Sequence, residues 1–214
     1  MLLTDLIYDT SEVIPFEYDK IKSPQTEAII AGYLQTASSV QHPVLIHMAG
    51  IPGAGKTTFY HSRPWPEHVF IAFDDIMESI PDYQADLQKF GTVEAFAKWE
   101  LPARVIGYEL LRRAVENRKN IFVDNGGSSK AHLCLMQKIK LFGYASEMYY
   151  ISCSLETAIA RAAKREKEIN RHIPVETIKD RYIKTLENIK EYQKIVDKFH
   201  HFDSSDSGFI QQAA

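Results

Sequence analysis

Short apolar runs alternate with amphipathic stretches along this chain. Pro43-Val44-Leu45-Ile46-His47-Met48-Ala49, His68-Val69-Phe70-Ile71-Ala72-Phe73, Asn120-Ile121-Phe122-Val123-Asp124 and Glu147 to Cys153 each read as a buried strand, being short, apolar and rich in branched or aromatic residues. Between them the period becomes helical. Glu27, Ala28, Ile29, Ile30, Ala31, Tyr33 and Leu34 follow Pro24, a residue suited to a first turn, and stop at a Ser/His/Pro cluster. Residues 82–117 have a helical pattern interrupted at Gly91 and Pro102. Their last part carries Ala103, Ile106, Gly107, Leu110, Leu111 and Ala114, the stripe of a helix packed on a sheet. Ser128 or Ser129 can cap a helix through about Phe142, with Gly143 as its terminator, and Ser154 can cap another from Leu155 to about Ile169. Pro174 then opens a long helix to about Phe199, and His200-His201-Phe202-Asp203 reads as a last short strand before a loose tail. Residues up to about Pro24 lack a clear period and predict an irregular arm or short helix. Strands alternating with helices predict an α/β fold around a parallel sheet.

One turn in this pattern carries chemistry. After the first strand comes Gly50-Ile51-Pro52-Gly53-Ala54-Gly55-Lys56-Thr57, and Lys56 to His61 can open a helix. This is the strand, glycine loop and helix of a phosphate-binding P-loop. Its backbone N–H groups turn inward around an anion, and glycine tolerates both positive φ and close approach. A β/γ-phosphate fits such a nest. Lys56 would neutralise its oxygens, the Thr57 hydroxyl would ligate Mg²⁺, and Thr58 follows in the first turn. ATP and Mg²⁺ are therefore the expected cofactors.

Composition narrows the picture only a little. A chain of 214 residues, 45% apolar and 11% aromatic, suits one soluble domain, and no linker or repeat divides it. The net charge of -3 gives no nucleic-acid footprint. Cys134 and Cys153 lack metal or redox spacing and read as buried thiols of a reducing compartment. No run reaches the length of a membrane span, and the N-terminus lacks the build of a signal peptide, so the expected location is the cytoplasm.

Other candidate residues follow from topology. Ligands bind off the carboxyl ends of strands in an open parallel sheet, so Asp74-Asp75 beyond the second strand and Asp124 ending the third face the same crevice as the loop. Phosphoryl transfer has a loose transition state, so a carboxylate can take the acceptor proton late. Asp74 is assigned this role with Asp75 as its understudy, while Asp124 can hold a Mg²⁺-bound water or a substrate hydroxyl. The helical insertion at 82–117 is the expected acceptor pocket. Arg161, Lys164 and Arg165 share a helix face, and Arg171 adds a cation on the next turn. Such a lid, over 155–174, would stabilise the charge of transfer and exclude water.

These residues resemble a known family. The loop, then Ile71-Ala72-Phe73-Asp74-Asp75-Ile76-Met77 with Pro81, then Gly143-Tyr144, Arg165 and Arg171-His172-Ile173-Pro174, are similar to the zeta toxin family of P-loop kinases over roughly residues 40 to 200. The resemblance implies a nucleoside-kinase-like three-layer sandwich, a P-loop NTPase fold with a helical insertion between strands two and three. It also implies an ATP-dependent kinase of a nucleotide sugar such as UDP-N-acetylglucosamine, and an antitoxin protein as partner. Matched by position, Lys56 takes the nucleotide-phosphate role, Asp74 the base, and Arg165 and Arg171 the phosphate-contacting lid positions. Glu109 falls near a substrate-binding glutamate, with Tyr108 competing for the match, and Asp124 falls on an acid of the substrate site. Ala72 replaces the first acid of the family's Asp-x-Asp, Met77 replaces a basic residue, and Asp124-Asn125-Gly126 replaces Glu-Gly-Thr. These changes bear on the acceptor more than on phosphotransfer.

Two other readings stay open. Asp74-Asp75-Ile76-Met77-Glu78-Ser79-Ile80-Pro81 also resembles chloramphenicol phosphotransferases, which would make the acceptor a drug or another small hydroxyl compound. A nucleotide-dependent switch or scaffold is the alternative from another class. Against it, the chain has no Asn-Lys-x-Asp motif for reading guanine.

Overall fold

A computed structural model describes residues 5–7, 18–169, 173–206 and 208–212, with side chains throughout except at 167–169. The elements run α1 (Tyr18–Ile21), α2 (Pro24–Leu34), β1 (Val44–Ala49), α3 (Lys56–His61), β2 (Val69–Ile71), α4 (Phe73–Glu78), α5 (Pro81–Phe90) and α6 (Thr92–Glu116). They continue with β3 (Ile121–Asp124), α7 (Lys130–Lys138) and a 3₁₀ turn over Ile139–Phe142. Then come β4 (Ala145–Ser152), α8 (Leu155–Ile169), α9 (Val175–Ile195), β5 (Lys198–Asp203) and β6 (Ile210–Gln211). The sheet order is β2-β3-β1-β4-β5-β6, parallel except for the antiparallel edge strand β6.

Strand alternation makes this a three-layer structure. Leu45, Ala49, Ile121, Val123, Met148 and Tyr150 face one apolar core with residues of α2, α4, α6 and α7. Ile46, Met48, Phe122 and Ile151 face a second core with Phe59 of α3 and Ala158 of α8. Neighbours in sequence thus point to opposite faces, as a pleated strand requires. Among the described residues no helix is long and apolar enough to cross a membrane.

Helix starts follow local chemistry. Ser23 caps α2, its Oγ accepting from Thr26 N–H at 3.1 Å while Thr26 Oγ1 accepts from Ser23 N–H at 2.9 Å. Ser129 rather than Ser128 caps α7, accepting from Ala131 N–H at 3.2 Å. In the N-terminal arm Leu6 and Ile7 are buried and α1 packs on α6, while positions 1–4 and 8–17 lie outside the described residues. Cys153 is buried beyond β4, whereas Cys134 is only half-buried, because its face of α7 lies toward solvent.

The structure departs from the sequence pattern at four places. β2 ends at Ile71 and the chain turns at once into α4, so Asp74 and Asp75 occupy a helical first turn rather than a strand end. Burial of Ile76, Met77 and Ile80 drives this switch of period, and acids near a helix N-terminus are favoured by its dipole. Pro102 does not break α6. Interior proline costs about 3 kcal/mol, and the packing of Ala103, Ile106, Leu110 and Leu111 just beyond it outweighs that cost. α9 stops at Ile195, where Val196 is extended and the Asp197 carboxylate accepts from Ser146 N–H at 2.8 Å and its hydroxyl at 2.9 Å. That contact steers the chain into β5 two residues earlier than the pattern predicts. Finally, the tail is not loose throughout, because Ile210 and Gln211 pair with Asp203 and Phe202.

Two histidines sit in the first core. His47 and His132 are buried with ring centroids 5.4 Å apart, and burial lowers both imidazole pKa values, His132 to about 4. The unfolded chain takes up these protons near pH 6.5 and the folded chain does not, so stability falls as pH drops from there to about 4. His132 alone accounts for about 3 kcal/mol of that loss. Urea denaturation at pH 7, 5.5 and 4.5 checks this: the midpoint is expected to fall steadily, and less in His132→Gln. A midpoint constant across the window would refute the buried neutral pair.

Candidate active site

The turn from β1 to α3 is built so tightly that two of its positions leave no room for a side chain. Gly53 has φ +87°, and a Cβ there would meet the Ala158 carbonyl of α8 at 2.4 Å. At Gly50 a Cβ would meet the Ile151 carbonyl of β4 at 2.4 Å. Both positions therefore require glycine. Gly55, also left-handed, opens α3. Ile51 and Ala54 are buried as anchors, and Ser204 Oγ, beyond β5, donates to Ala54 O at 2.8 Å. Thr57 and Thr58 stand exposed in the first turn of α3. Lys56 folds back over the loop, donating to Gly50 O at 2.8 Å and lying 3.9 Å from Asp124 Oδ1. Both side chains are less than one-fifth exposed, so the crevice screens their attraction less than open water would.

Register explains how Asp124 arrives there. Met48 lies level with Asp124, and Ile71 level with Val123, so β1, β3 and β2 end together. Asp74 follows Ile71 on the far side of β3 from the loop. Two strand spacings amount to about 10 Å, the scale of a nucleotide tail and an acceptor side by side. Asp74 is partly buried behind Phe73, whose ring packs at 5.0 Å from Tyr108 of α6 and edge-on at 6.1 Å from His132 of α7. Asp75 is exposed. Its charge adds to the effect of burial in raising the Tyr33 and Tyr60 hydroxyl pKa values, so it lies toward α2 and the end of α3.

Glu109 is engaged elsewhere. Its carboxylate accepts from Arg112 and Arg113, and Arg113 continues to Glu27 of α2. Burial alone would raise the Glu109 carboxyl, but the two guanidiniums hold it below the usual range. Its neighbour Tyr108 is the residue aimed inward, its hydroxyl 2.9 Å from His132 Nε2. One residue along a helix is a rotation of about 100°, which separates the two.

The cations of α8 also divide. Arg161 is tied down, donating to Gly53 O at 3.4 Å, Ser204 Oγ at 3.1 Å and Ser204 O at 2.6 Å. Arg165, one turn on, is exposed, and Arg171 lies outside the described residues. Beside Arg161 opens a pocket of about 300 Å³ lined by Gly55, Thr58, Arg161, Ser204, Asp206, Gly208 and Phe209. Phe209 packs edge-on against Phe59 at 5.0 Å and closes the wall. Sequence reasoning passes over Ser204, Phe209 and His132. An apolar ring within a Ser/Asp/Gly tail is the one signal that marks Phe209.

A family model described as Zeta toxin matches residues 30–208. Comparison with curated proteins gives no match. Among solved structures, one from the PezAT chromosomal toxin-antitoxin system of the human pathogen Streptococcus pneumoniae is similar at 17% identity and TM-score 0.68, covering 96% of this chain and 82% of that one. A chain of the AvrRxo1-ORF1:AvrRxo1-ORF2 complex with sulphate ions is similar at 13% identity and TM-score 0.68, covering 96% and 73%. The same complex with ATP gives 15% identity and TM-score 0.63 over the same shares. At these identities the likeness is one of fold.

Proposed function

The chain belongs to the zeta toxin family, and from that premise we propose that it is an ATP-dependent kinase acting on a hydroxyl of a small molecule, a nucleotide sugar of the UDP-N-acetylglucosamine type. The observation that carries this reading is Lys56, laid across a loop that leaves no room for a Cβ at Gly50 or Gly53 and paired with Asp124 at the end of β3. An ammonium over inward-turned amides is chemistry for phosphate oxygens. The ATP in one of the similar complexes supports the choice of nucleotide.

The residues fit such a substrate. Gly50 to Thr57 would cradle the β- and γ-phosphates, with Thr58 and Arg161 at the side where the base would lie against Phe209 and Ser204. Thr57 and Asp124 would supply hard oxygens that suit Mg²⁺, which would neutralise phosphate charge there. Lys56 would leave its Gly50 and Asp124 contacts for the transferring group. Asp74 would orient the acceptor hydroxyl and take its proton as the new O–P bond forms and the bond to the β-phosphate oxygen breaks. Asp75, exposed on the same turn, would serve as its understudy. Arg165 and Arg171 would close over the equatorial oxygens and exclude water. Glu109 would act on the acceptor only after exchanging its arginine partners. The toxin-antitoxin system containing one similar protein supports an antitoxin as protein partner.

The test is transfer of labelled phosphate from ATP to a panel of UDP-sugars, free sugars and hydroxylated antibiotics, read by mass. An added phosphate on a UDP-amino sugar is the expected result. Label on an antibiotic alone would move the reading to a drug phosphotransferase. ATP binding with no transfer to any member would favour a nucleotide-dependent switch.

A further inference from the structure

A largely buried polar cluster outside the loop joins the two halves of the site. His132 is 1% exposed on α7, and its Nε2 faces two groups: the Tyr108 hydroxyl of α6 at 2.9 Å and Asn125 Nδ2 at 3.4 Å. Gly127 N–H donates to Asn125 Oδ1 at 3.2 Å, which turns the amide so that its NH₂ faces the imidazole and can only donate. Nε2 therefore carries the lone pair and Nδ1 the proton, and the Tyr108 hydroxyl is the shorter donor. A protonated imidazole would lose the Asn125 contact and reverse the one to Tyr108, whose hydroxyl oxygen would then accept. The core around it, including His47 of β1 and the more distant charge of Arg104, keeps it neutral.

Each partner of His132 leads to a different part of the site. Asn125 begins the turn that follows β3: its N–H donates to Met48 O, Gly126 O accepts from Gly50 N–H at 3.2 Å, and Gly126 O and Gly127 O accept from Thr185 and Asn188 of α9 at 3.1 Å each. That turn pins the first residue of the phosphate loop. On the other side, Tyr108 and His132 both pack on Phe73, the residue before Asp74. One imidazole thus braces the carboxylate turn and the loop turn together.

We propose that His132 is a positioning residue, which fixes Asp74 relative to the phosphate loop by accepting from Tyr108 and Asn125 at a single nitrogen. This rests on the kinase reading, since it presumes that the Asp74-to-loop distance governs transfer. A displacement of about 1 Å in such a site can cost on the order of a hundredfold in rate. The lone pair at Nε2 is the functional feature, so glutamine, whose side-chain oxygen reaches a similar point, is expected to replace it and leucine is not.

The test compares His132→Leu, His132→Gln and the milder Tyr108→Phe. In His132→Leu, kcat is expected to fall by about tenfold to a hundredfold, with KM for ATP within about threefold of wild type, because the loop keeps its own Ile51, Ser204 and Lys56 contacts. His132→Gln is expected to recover most of the loss, and Tyr108→Phe to shift kcat the same way by less. Hydrogen exchange is read on the same proteins without any acceptor. The amides of Gly50 and Gly127 are expected to exchange about tenfold faster in His132→Leu than in wild type, and near wild-type rates in His132→Gln. Equal losses in the leucine and glutamine variants, or unchanged exchange at both glycines in a folded leucine variant, would overturn the proposal. Should wild type transfer phosphate to nothing, the kinase reading fails by itself and exchange alone decides whether His132 braces the turn. If His132→Leu does not fold, Tyr108→Phe carries both measurements.

Discussion

Lys56→Ala is expected to remove phosphoryl transfer, by about a thousandfold or more, while leaving the domain folded. The size follows from what the ammonium would do: its contacts lie on the Gly50 carbonyl of the loop and on Asp124, where charge would develop on transfer. The fold barely depends on it. Lys56 stands at the first position of α3, outside both apolar cores, and alanine is a good helix former, so the stability change is expected to stay within about 1 kcal/mol. Lys56→Met, which keeps the aliphatic stem and loses only the charge, should behave alike. The measurements are labelled-phosphate transfer and a urea midpoint on the same preparations. Transfer retained in a folded Lys56→Ala protein would remove the loop from the mechanism.

The legible parts of this chain are those where one local rule decides. The strand, loop and helix around Lys56 could be read directly, since Gly50, Gly53 and Gly55 take the backbone angles that only glycine accepts easily and α3 runs from Lys56 to His61 as the pattern predicts. Ser154 as a cap, accepting from Thr157 N–H at 3.1 Å, and Gly143 as a left-handed terminator belong to the same class. Tertiary packing decided the rest. Nothing local in Phe70-Ile71-Ala72-Phe73 says that the strand stops after Ile71; the instruction comes from α6, onto which Ile76 and Ile80 pack. Pro102 survives inside α6 for the same reason. Glu109 and Tyr108 are adjacent letters; the arginines that hold Glu109 stand at i+3 and i+4 on its own helix and follow a local rule, but only the packing of α7 beside α6 shows that Tyr108 meets His132. β6 is two residues long, too short for any period, so the wall it helps to hold near Phe209 had no pattern to announce it.

The choice between the two adjacent acids is the sharper test of the site. Asp74→Asn keeps the shape and one oxygen but removes the proton acceptor, so the transfer rate is expected to fall by about a hundredfold or more, the scale of a lost general base. ATP binding should stay nearly intact, because the loop and Lys56 lie across β3 from α4. Asp75→Asn is expected to change the rate little. Asp74 is partly buried and follows a Phe73 ring packed against Tyr108 and His132, whereas Asp75 is exposed and its charge is felt by Tyr33 and Tyr60. The neutralised Asp75 should leave a second trace, lowering the pKa of those two hydroxyls in a spectroscopic titration, which shows that the substitution acted where expected. Single-turnover rates with the best acceptor, measured beside equilibrium ATP binding, separate chemistry from affinity. A loss in Asp75→Asn equal to that in Asp74→Asn would move the base one residue along α4, onto the face that turns toward α2.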